Sequence, residues 1–371
     1  MQAVSLLQIV SGFKPDVDGM GDFARLLGDV LWKKKSIQSH FLVYRRPGNP
    51  IDAQVIAPNT ISYASEPSPA ALSAHIEGLC STREFDSVLV HYGAYGYSKD
   101  GRPAEFVQVI EGLAKKLPVS IFFHEIQATA MPWKRAFWTY PEQRKSAVSL
   151  VRSARASFTS NSEYIKTLES FKVPGAVLKK APVISNVGEP SDLRPLRERA
   201  RRLVIFGQFT NRLRIYEEHG QILKDVCRLL RIESVVDVGS GQSPNIPASV
   251  DGVKLQRAGW MDEKQLSALM SDSVAGLVCY APDIWEKSGV IAAYQAHALV
   301  PILIPMQRRL TPEPAYLPYV SVEYLYQLAT SGRIVPDADL QAIASAGHGF
   351  YVANQSVDHC VDLISEEIIP S

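Results

Sequence analysis

The chain has 371 residues, of which 46% are hydrophobic and 21% are charged. It is therefore long enough for two domains with apolar cores and does not have the composition of a disordered protein. The formal net charge of +1 argues against a nucleic-acid binder whose affinity rests on phosphate neutralisation. No apolar run approaches the roughly 20 residues that a membrane-spanning helix requires.

The N-terminus and the cysteines favour a cytoplasmic protein without a metal site. Residues 1–10 run directly into a strand-like stretch and lack the basic region and cleavage site of a secretion signal. The four cysteines, Cys80, Cys227, Cys279 and Cys360, are far apart, so none forms the close pair that a zinc site or redox motif needs. We expect reduced cysteines, no metal and no other cofactor.

In the first half of the chain, short apolar runs alternate with helix-like segments, which is typical of parallel α/β architecture. Strands are predicted at Val4–Val10, His40–Tyr44, Ser87–Tyr92, Val119–His124 and Ser157–Ser160. Helices are predicted at Asp22–Lys35, Ala70–Cys80, Ala104–Lys116, Glu142–Arg152 and Ser162–Phe171.

The alternation stops between Val187 and Arg202, where proline, glycine and a dense run of charge indicate a linker. It then restarts, with strands predicted at Leu203–Phe206, Ser234–Val238, Ala275–Tyr280 and Val300–Ile304, and helices at Arg214–Arg231, Asp262–Ser271 and Gly289–His297. The predicted organisation is an N-terminal domain over 1–186, a linker over 187–202, a C-terminal domain over 203–350, and a C-terminal helix over 351–371 that packs back on the N-terminal domain.

Two loops of the first half lie at predicted carboxyl ends of strands, where open α/β sheets bind ligands. Gly19 and Gly21 precede the first helix, so backbone amides there can approach an anion closely. The nearby Asp16 and Asp18 are interpreted as solvated turn residues rather than metal ligands. His124 ends a buried strand.

An aromatic and basic segment follows His124. It contains Trp133, Lys134, Arg135, Phe137 and Trp138. Such a mixture is compatible with an acceptor site, with contact to a membrane surface, or with a packed lid.

Two segments of the second half suit a diphosphate. Gly207 ends a strand and is followed by Arg212 and Arg214, whose guanidinium groups match phosphate geometry. Further along, Glu286 precedes Ser288 and Gly289, which open an apolar helix. The amides at that helix start suit a phosphate, and Glu286 can hydrogen-bond sugar hydroxyls.

Together these motifs resemble those of the retaining GT-B glycosyltransferases of the family 4, or group 1, type. The resemblance places residues 15–21 at the family's P-x-x-G-G loop, His124 at its strand-end histidine, residues 207–214 at its G-x-[FY] turn with basic residues, and residues 286–289 at the start of its E-x7-E motif. It implies an α/β chain of two Rossmann-like domains that face each other across a cleft. The implied donor is a nucleoside diphosphate sugar.

The resemblance also assigns roles to individual residues. It implies that Gly19, with Gly21, binds the donor phosphate and that His124 lies beside the reacting sugar. It implies that Arg212 or Arg214 stabilises the leaving diphosphate without a metal. The backbone of Ser288, Gly289 and Val290 is expected to hold the same group, with Glu286 near the sugar and Gly207 in the same loop cluster.

Two positions depart from the family pattern. Tyr294 stands where the family has the second glutamate of E-x7-E, which holds the donor ribose, and Gln208 stands where it has the first basic residue of the phosphate pair. Both are kept as donor-site positions. Recognition of the base is expected around Gly259 and Trp260.

The expected acceptor is a glycan or a lipid-linked glycan in bacterial polysaccharide or glycoconjugate synthesis, and no nucleic-acid partner is expected. Residues 1–188 carry 22 Lys and Arg against 16 Asp and Glu, whereas residues 189–371 carry 17 against 22. As a hypothesis, the basic half faces an anionic acceptor or the inner face of an anionic membrane.

Two other functions remain open from the residues. Val235 to Ser243 is similar to the D-x-G-x-G-x-G loop of S-adenosylmethionine-dependent methyltransferases, with Ser243 in place of the third glycine. Alternatively, Tyr294 and Gln208 mark a catalytically silent GT-B subunit that pairs with an active partner.

Overall fold

The computed structural model describes residues 4–13, 19–45, 56–127, 138–306, 318–329 and 334–369. It divides the chain into two compact units: residues 1–182 together with 357–371, and residues 183–356. Each unit is an α/β domain built on its own sheet. The predicted pair of Rossmann-like domains is confirmed.

The first unit contains a seven-stranded sheet. Its strands are β1 (Val4–Val10), β2 (Ile37–Val43), β3 (Thr60–Tyr63), β4 (Ser87–Tyr92), β5 (Val119–Phe123), β6 (Ala156–Thr159) and β7 (Leu178–Lys180). The order across the sheet is β3-β2-β1-β4-β5-β6-β7, and each neighbouring pair is parallel. The strand order switches between β1 and β4, and ligands of such sheets bind beyond the carboxyl ends at this switch point.

Before residue 183, the helices of the first unit are α1 (Gly19–Lys35), α2 (Pro69–Thr82), α3 (Ala94–Tyr97), α4 (Ala104–Ala114), α5 (Tyr140–Ser153) and α6 (Ser162–Glu169). The Ser68 hydroxyl caps α2 by accepting from the Ala71 amide at 3.2 Å, and Asn161 caps α6. Three lysines in the last turn of α1 are favourable to its dipole.

The second unit contains a six-stranded sheet. Its strands are β8 (Ala200–Phe206), β9 (Ser234–Val238), β10 (Ser249–Val250), β11 (Val253–Gly259), β12 (Ser273–Tyr280) and β13 (Val300–Pro305). The order is β10-β11-β9-β8-β12-β13; the β10–β11 pair is antiparallel, and the other neighbouring pairs are parallel. The β8–β12 and β8–β9 pairings bring the loops after these three strands to one edge.

The helices of the second unit are α7 (Phe209–Glu217), α8 (Gly220–Leu229), α9 (Glu263–Ser271), α10 (Gly289–Ala296), α11 (Val322–Leu328) and α12 (Asp337–Asn354), with 3₁₀ turns at Leu196–Glu198 and Pro282–Lys287. The sequence predicted a single helix from Arg214 to Arg231. The structure has two helices there, because the chain leaves helical geometry at His219 before Gly220 opens α8.

The segment predicted as a linker, 187–202, lies in the second unit, and β8 already begins at Ala200. Arg199, inside the charge run, is only 6% exposed. Its guanidinium donates to the carbonyls of Arg194 at 2.8 Å and His297 at 2.8 Å. Backbone oxygens satisfy this buried arginine, while the neighbouring Arg194, Arg197 and Glu198 are exposed.

The C-terminal helix α13 (Val357–Ile368) belongs to the first unit, whereas α12 belongs to the second, so the boundary falls near 356 rather than 350. The buried face of α13 includes Val361 and Ile364. Lys35 pairs with Asp362 at 2.6 Å and Lys179 pairs with Glu367 at 3.2 Å, which adds charge contacts to the apolar packing.

Candidate functional site

The carboxyl edge of the second sheet brings together two loops that the sequence singled out. Gly207 follows β8 with a φ of 128°, and a Cβ placed on it would lie 3.2 Å from Cγ2 of Val290, in the first turn of α10. Asn186 in turn lies beside Gly289, 3.4 Å from the position of its missing Cβ. Gly207, Gly289 and Val290 are therefore neighbours, as a shared diphosphate site requires.

The start of α10 presents backbone donors to this edge. Ser288 is 5% exposed, and its hydroxyl accepts from the amide of Ile291 at 3.2 Å. The amides of Gly289 and Val290, the first two residues of the helix, have no acceptor within it. A helix start of this kind favours an anion through its amides and its dipole.

Glu286 lies two residues before this cap, half-buried in the 3₁₀ turn. Its neighbour Trp285 is held by ring contacts, with centroids 5.8 Å from Tyr319 and 5.7 Å from Phe350. The structure thus holds the segment in place by aromatic packing and keeps Glu286 at the edge where the donor sugar is expected.

A second helix start, that of α7, lies at the same edge directly after Gly207. Gln208 is its exposed N-cap residue and makes no side-chain capping bond. Arg214, in the second turn, is 44% exposed at the side chain and pairs with Glu218 across 3.8 Å. An exposed ion pair of this length contributes little free energy to stability.

Arg212 does not fit the role predicted for it. It is 1% exposed and forms an ion pair with Asp237, whose other oxygen accepts from the Tyr216 hydroxyl at 2.6 Å. Its guanidinium also donates to the carbonyls of Gly207, at 3.0 Å from Nε, and Ser240. Burial raises the pKa of Asp237, while Tyr216 and Arg212 oppose that shift. Arg212 clamps the loops after β8 and β9 together instead of facing a ligand.

The Arg212 clamp also explains the two glycines after β9, in the segment whose sequence is similar to a methyltransferase loop. Gly239 has a φ of 140°, and a Cβ there would lie 3.0 Å from the Arg212 guanidinium. Gly241 has a φ of 94°, and a Cβ there would lie 2.6 Å from the Phe209 ring. Both glycines are required by close packing within the unit, so they provide no separate support for a nucleoside site.

Tyr294 does not fit a donor-contacting role either. Its side chain is fully buried. The hydroxyl accepts from the Phe206 amide at 3.1 Å and donates to the Val204 carbonyl at 3.1 Å. Gly276 on β12 leaves room for its ring. The family that this chain resembles has a ribose-binding glutamate at this position. Here Tyr294 is a core residue whose hydrogen bonds connect α10 to β8. Burial raises the pKa of Tyr294.

In the first unit, His124 follows β5 and is half-buried. Its ring stacks on Phe122 at 4.6 Å between centroids, and Phe23 meets it edge-on at 5.3 Å. Its Nε2 lies 3.1 Å from Nδ1 of His91, a fully buried residue of β4. His91 was not among the predicted site residues, although a histidine inside an otherwise apolar strand is a visible signal in the sequence.

The remaining predicted residues are partly described. Gly19 is exposed at the start of α1, whereas Gly21 is buried, and a Cβ on it would lie 2.2 Å from the Gly12 carbonyl oxygen. Gly21 therefore permits close helix packing. Residues 15–18 and the segment 133–137 lie outside the described residues; Trp138, which follows, is 66% exposed.

At the far side of the second sheet's carboxyl edge, Gly259 ends β11 with a φ of 70°, and Trp260 is 71% exposed. In the described part of the chain no three His, Cys, Asp or Glu side chains gather as a metal site would need. Within the same residues, no helix has the length and apolar character required to cross a bilayer.

No model of a protein family matches the chain, and no curated protein matches it. Solved structures do. An α-glucosyltransferase in complex with UDP-glucose and DNA containing an abasic site is similar with a TM-score of 0.60 at 11% identity, over 99% of each chain. Alr3699/HepE from Anabaena in complex with UDP-glucose gives 0.60 at 12%, over 98% of each chain.

The α,α-trehalose-phosphate synthase (UDP-forming) from Burkholderia vietnamiensis gives a TM-score of 0.58 at 10% identity, over 99% of this chain and 97% of that one. At such identities the likeness concerns the fold. Since it extends over both α/β units, the predicted fold class is confirmed: this chain has the GT-B fold of two Rossmann-like domains.

Proposed function

We propose that the protein is a glycosyltransferase that moves a sugar from a nucleoside diphosphate sugar to a hydroxyl group. The observation that carries the proposal is the contact between Gly207 and Val290, which brings the starts of α7 and α10 to one edge. Two helix starts at one place suit a diphosphate, which carries charge on both phosphates. Two proteins of the same fold are in complex with UDP-glucose, and a third is a UDP-forming synthase.

In this proposal the amides of Gly289 and Val290, held by the Ser288 cap, bind the diphosphate. Arg214 supplies the positive charge that stabilises the leaving diphosphate, a role that the resemblance gave to Arg212 or Arg214. Glu286 accepts hydrogen bonds from donor sugar hydroxyls. The exposed Trp260 ring provides a stacking surface for the base.

The reaction breaks the bond between the anomeric carbon and the diphosphate oxygen. The acceptor hydroxyl oxygen bonds to that carbon, and its proton leaves on the diphosphate. Donors aimed at the leaving group stabilise the charge that develops there, and a strong one contributes roughly 3 kcal/mol. We propose that helix starts and Arg214 do this without a metal and with retention at the anomeric carbon, as the resemblance implies.

The proposed acceptor is a glycan or lipid-linked glycan, and not a nucleic acid, because the net charge is only +1. The basic first half suits an anionic membrane surface. Co-sedimentation with vesicles tests this point. We expect more binding to vesicles with anionic lipid than to neutral ones at low salt, and equal partitioning would contradict it.

The donor proposal is tested by calorimetric titration of the full chain with UDP, GDP and S-adenosylhomocysteine. We expect binding of at least one nucleoside diphosphate and none of S-adenosylhomocysteine. Binding of only S-adenosylhomocysteine would instead support the methyltransferase alternative. Nucleotide binding with neither transfer nor donor hydrolysis would support a silent subunit, and no binding at all would contradict the proposal.

A further inference from the structure

Four polar side chains form a continuous hydrogen-bonded row through the middle of the first sheet. Ser39 lies on β2, Gln8 on β1, His91 on β4, and His124 just after β5. The distances are 2.7 Å from Gln8 Nε2 to Ser39 Oγ, 2.8 Å from Gln8 Oε1 to His91 Nε2, and 3.1 Å from His91 Nδ1 to His124 Nε2. The first three of these residues are fully buried.

Packing alone does not account for this row. Gln8 interrupts an apolar strand, Leu6 to Val10, and its amide would cost free energy if it were buried without partners. An apolar side chain at Gln8 and at His91 would fill the same interior without that requirement. Polar residues kept at such positions, and joined to a residue at the ligand-binding edge, indicate a role beyond packing.

The amide of Gln8 gives the row a direction. Its nitrogen faces Ser39, so its carbonyl oxygen faces His91, and a carbonyl oxygen only accepts. Nε2 of His91 must therefore carry a hydrogen. Burial lowers the pKa of His91 to about 3, so the ring is neutral and its Nδ1 holds a lone pair.

The direction continues to His124. Since Nδ1 of His91 accepts, the hydrogen between the two rings belongs to Nε2 of His124. In neutral His124 the lone pair is then on Nδ1. The ring is also restricted by stacking on His91, with centroids 5.3 Å apart and planes inclined by 28°, and on Phe122.

We propose that Gln8 and His91 are positioning residues that hold His124 in the Nε2–H tautomer at the carboxyl edge of the first sheet. The tautomer and its cause concern the ligand-free chain. Only its effect on catalysis rests on the proposed function. A histidine held in one tautomer has a fixed donor nitrogen and a fixed acceptor nitrogen, which an unrestrained imidazole has not.

Two substitutions of His91 form a matched pair. His91→Asn places an amide where Nδ1 was, so its oxygen can still accept from His124. His91→Gln places the amide where Nε2 was, so it keeps a partner for Gln8 and loses the one for His124. Thermal unfolding and circular dichroism establish that both variants fold.

The experiment is ¹⁵N nuclear magnetic resonance of the full chain with ring-labelled histidine, in which a lone-pair nitrogen and a protonated nitrogen have well-separated shifts. We expect the wild type and His91→Asn to show His124 protonated at Nε2, and His91→Gln to show a mixture of tautomers. His124 protonated at Nδ1 in the wild type, or an unchanged tautomer in His91→Gln, would overturn the proposal.

A kinetic measurement separates positioning from general damage. We expect His91→Gln to lower kcat on the order of tenfold with little change in donor KM, and His91→Asn to recover most of it. Equal loss in both variants would mean that His91 acts only through packing. If no transfer is detected in the wild type, the spectra still decide the tautomer, so failure of the proposed function is distinguishable from failure of this one.

Discussion

Arg212 and Arg214 show how two similar residues acquire opposite roles. On a helix, positions two apart point about 200° from each other, so α7 turns one arginine inward and the other to solvent. Arg212 meets Asp237, Tyr216 and two loop carbonyls, whereas Arg214 meets only Glu218 among the ion pairs of the described residues. The sequence indicated that a cation belongs near Gly207, and packing decides which of the two arginines stays exposed.

Arg212→Ala leaves the buried Asp237 carboxylate without its ion partner. We expect a loss of about 3–5 kcal/mol in the free energy of unfolding, measured by urea denaturation followed by circular dichroism. Arg214→Ala is the matched control: stability within about 0.5 kcal/mol of the wild type and weaker nucleoside diphosphate binding. Equal stability of the two variants would show that the Arg212 clamp is not structural.

The buried histidines predict a pH dependence of stability. Burial lowers the pKa of His91 to about 3, and burial with the charges of Arg83 and His75 lowers that of His40 to about 4. Unfolded histidines bind protons below about 6.5. Between that value and the folded pKa, the unfolded chain holds more protons than the folded chain.

Stability therefore falls as the pH is lowered from about 6.5 toward 4, by about 1 kcal/mol per pH unit for each histidine. Urea denaturation at a series of pH values measures the slope. His91→Asn removes one titrating group, so its slope in this window should be shallower than that of the wild type. A slope as steep as that of the wild type would contradict a neutral, buried His91.

At the scale of elements, the strands rich in apolar residues were predictable and the more exposed ones were not. Strands β1, β4, β5, β9 and β12 are largely apolar because both faces of a parallel sheet are covered. In contrast, β3 is half-buried along its length and β11 alternates irregularly between exposed and covered residues. Neither has the apolar pattern that predicts a buried strand, and β3, β7, β10 and β11 were not predicted.

The helix start at Ser288 was predictable, since Ser-Gly before an apolar run is a capping pattern. The position of this helix start beside Gly207 could not be predicted. The contact of Val290 with Gly207 depends on β8 and β12 being adjacent, and that pairing joins residues far apart in sequence. The row from Ser39 to His124 could not be predicted either, because its members come from three strands and the residue after a fourth.

Ser288→Ala and Ser68→Ala remove caps with the same 3.2 Å hydrogen bond, one on α10 and the other on α2. We expect each to lower stability by about 1 kcal/mol. Only Ser288→Ala should weaken nucleoside diphosphate binding, because it loosens the amides of Gly289 and Val290. Calorimetric titration of both variants measures the difference, and similar affinities would place the diphosphate elsewhere.

At the scale of the molecule, the last helix of the chain returns to the first unit. The buried face of α13 belongs to that unit, together with its ion pairs to Lys35 and Lys179. Length and the break in alternation predicted two domains joined by a linker over 187–202. That segment belongs to the second unit, where the buried Arg199 donates to backbone carbonyls.

Ile364→Ala should therefore destabilise the first unit. Ile364 is fully buried, and such truncations cost about 2–5 kcal/mol. Hydrogen exchange followed by mass spectrometry should show faster exchange in the first unit, with the exchange of 200–306 unchanged. Val352→Ala, at a 53% exposed position on α12, is the control and should leave both units as they are.

The central claim is that a nucleoside diphosphate binds at the carboxyl edge of the second sheet, between the starts of α7 and α10. Hydrogen exchange of the full chain with and without saturating UDP, and then GDP, tests it most directly. The account predicts slower exchange in residues 207–214 and 286–292 with the nucleotide that binds. Slower exchange elsewhere, with these two segments unchanged, would contradict it.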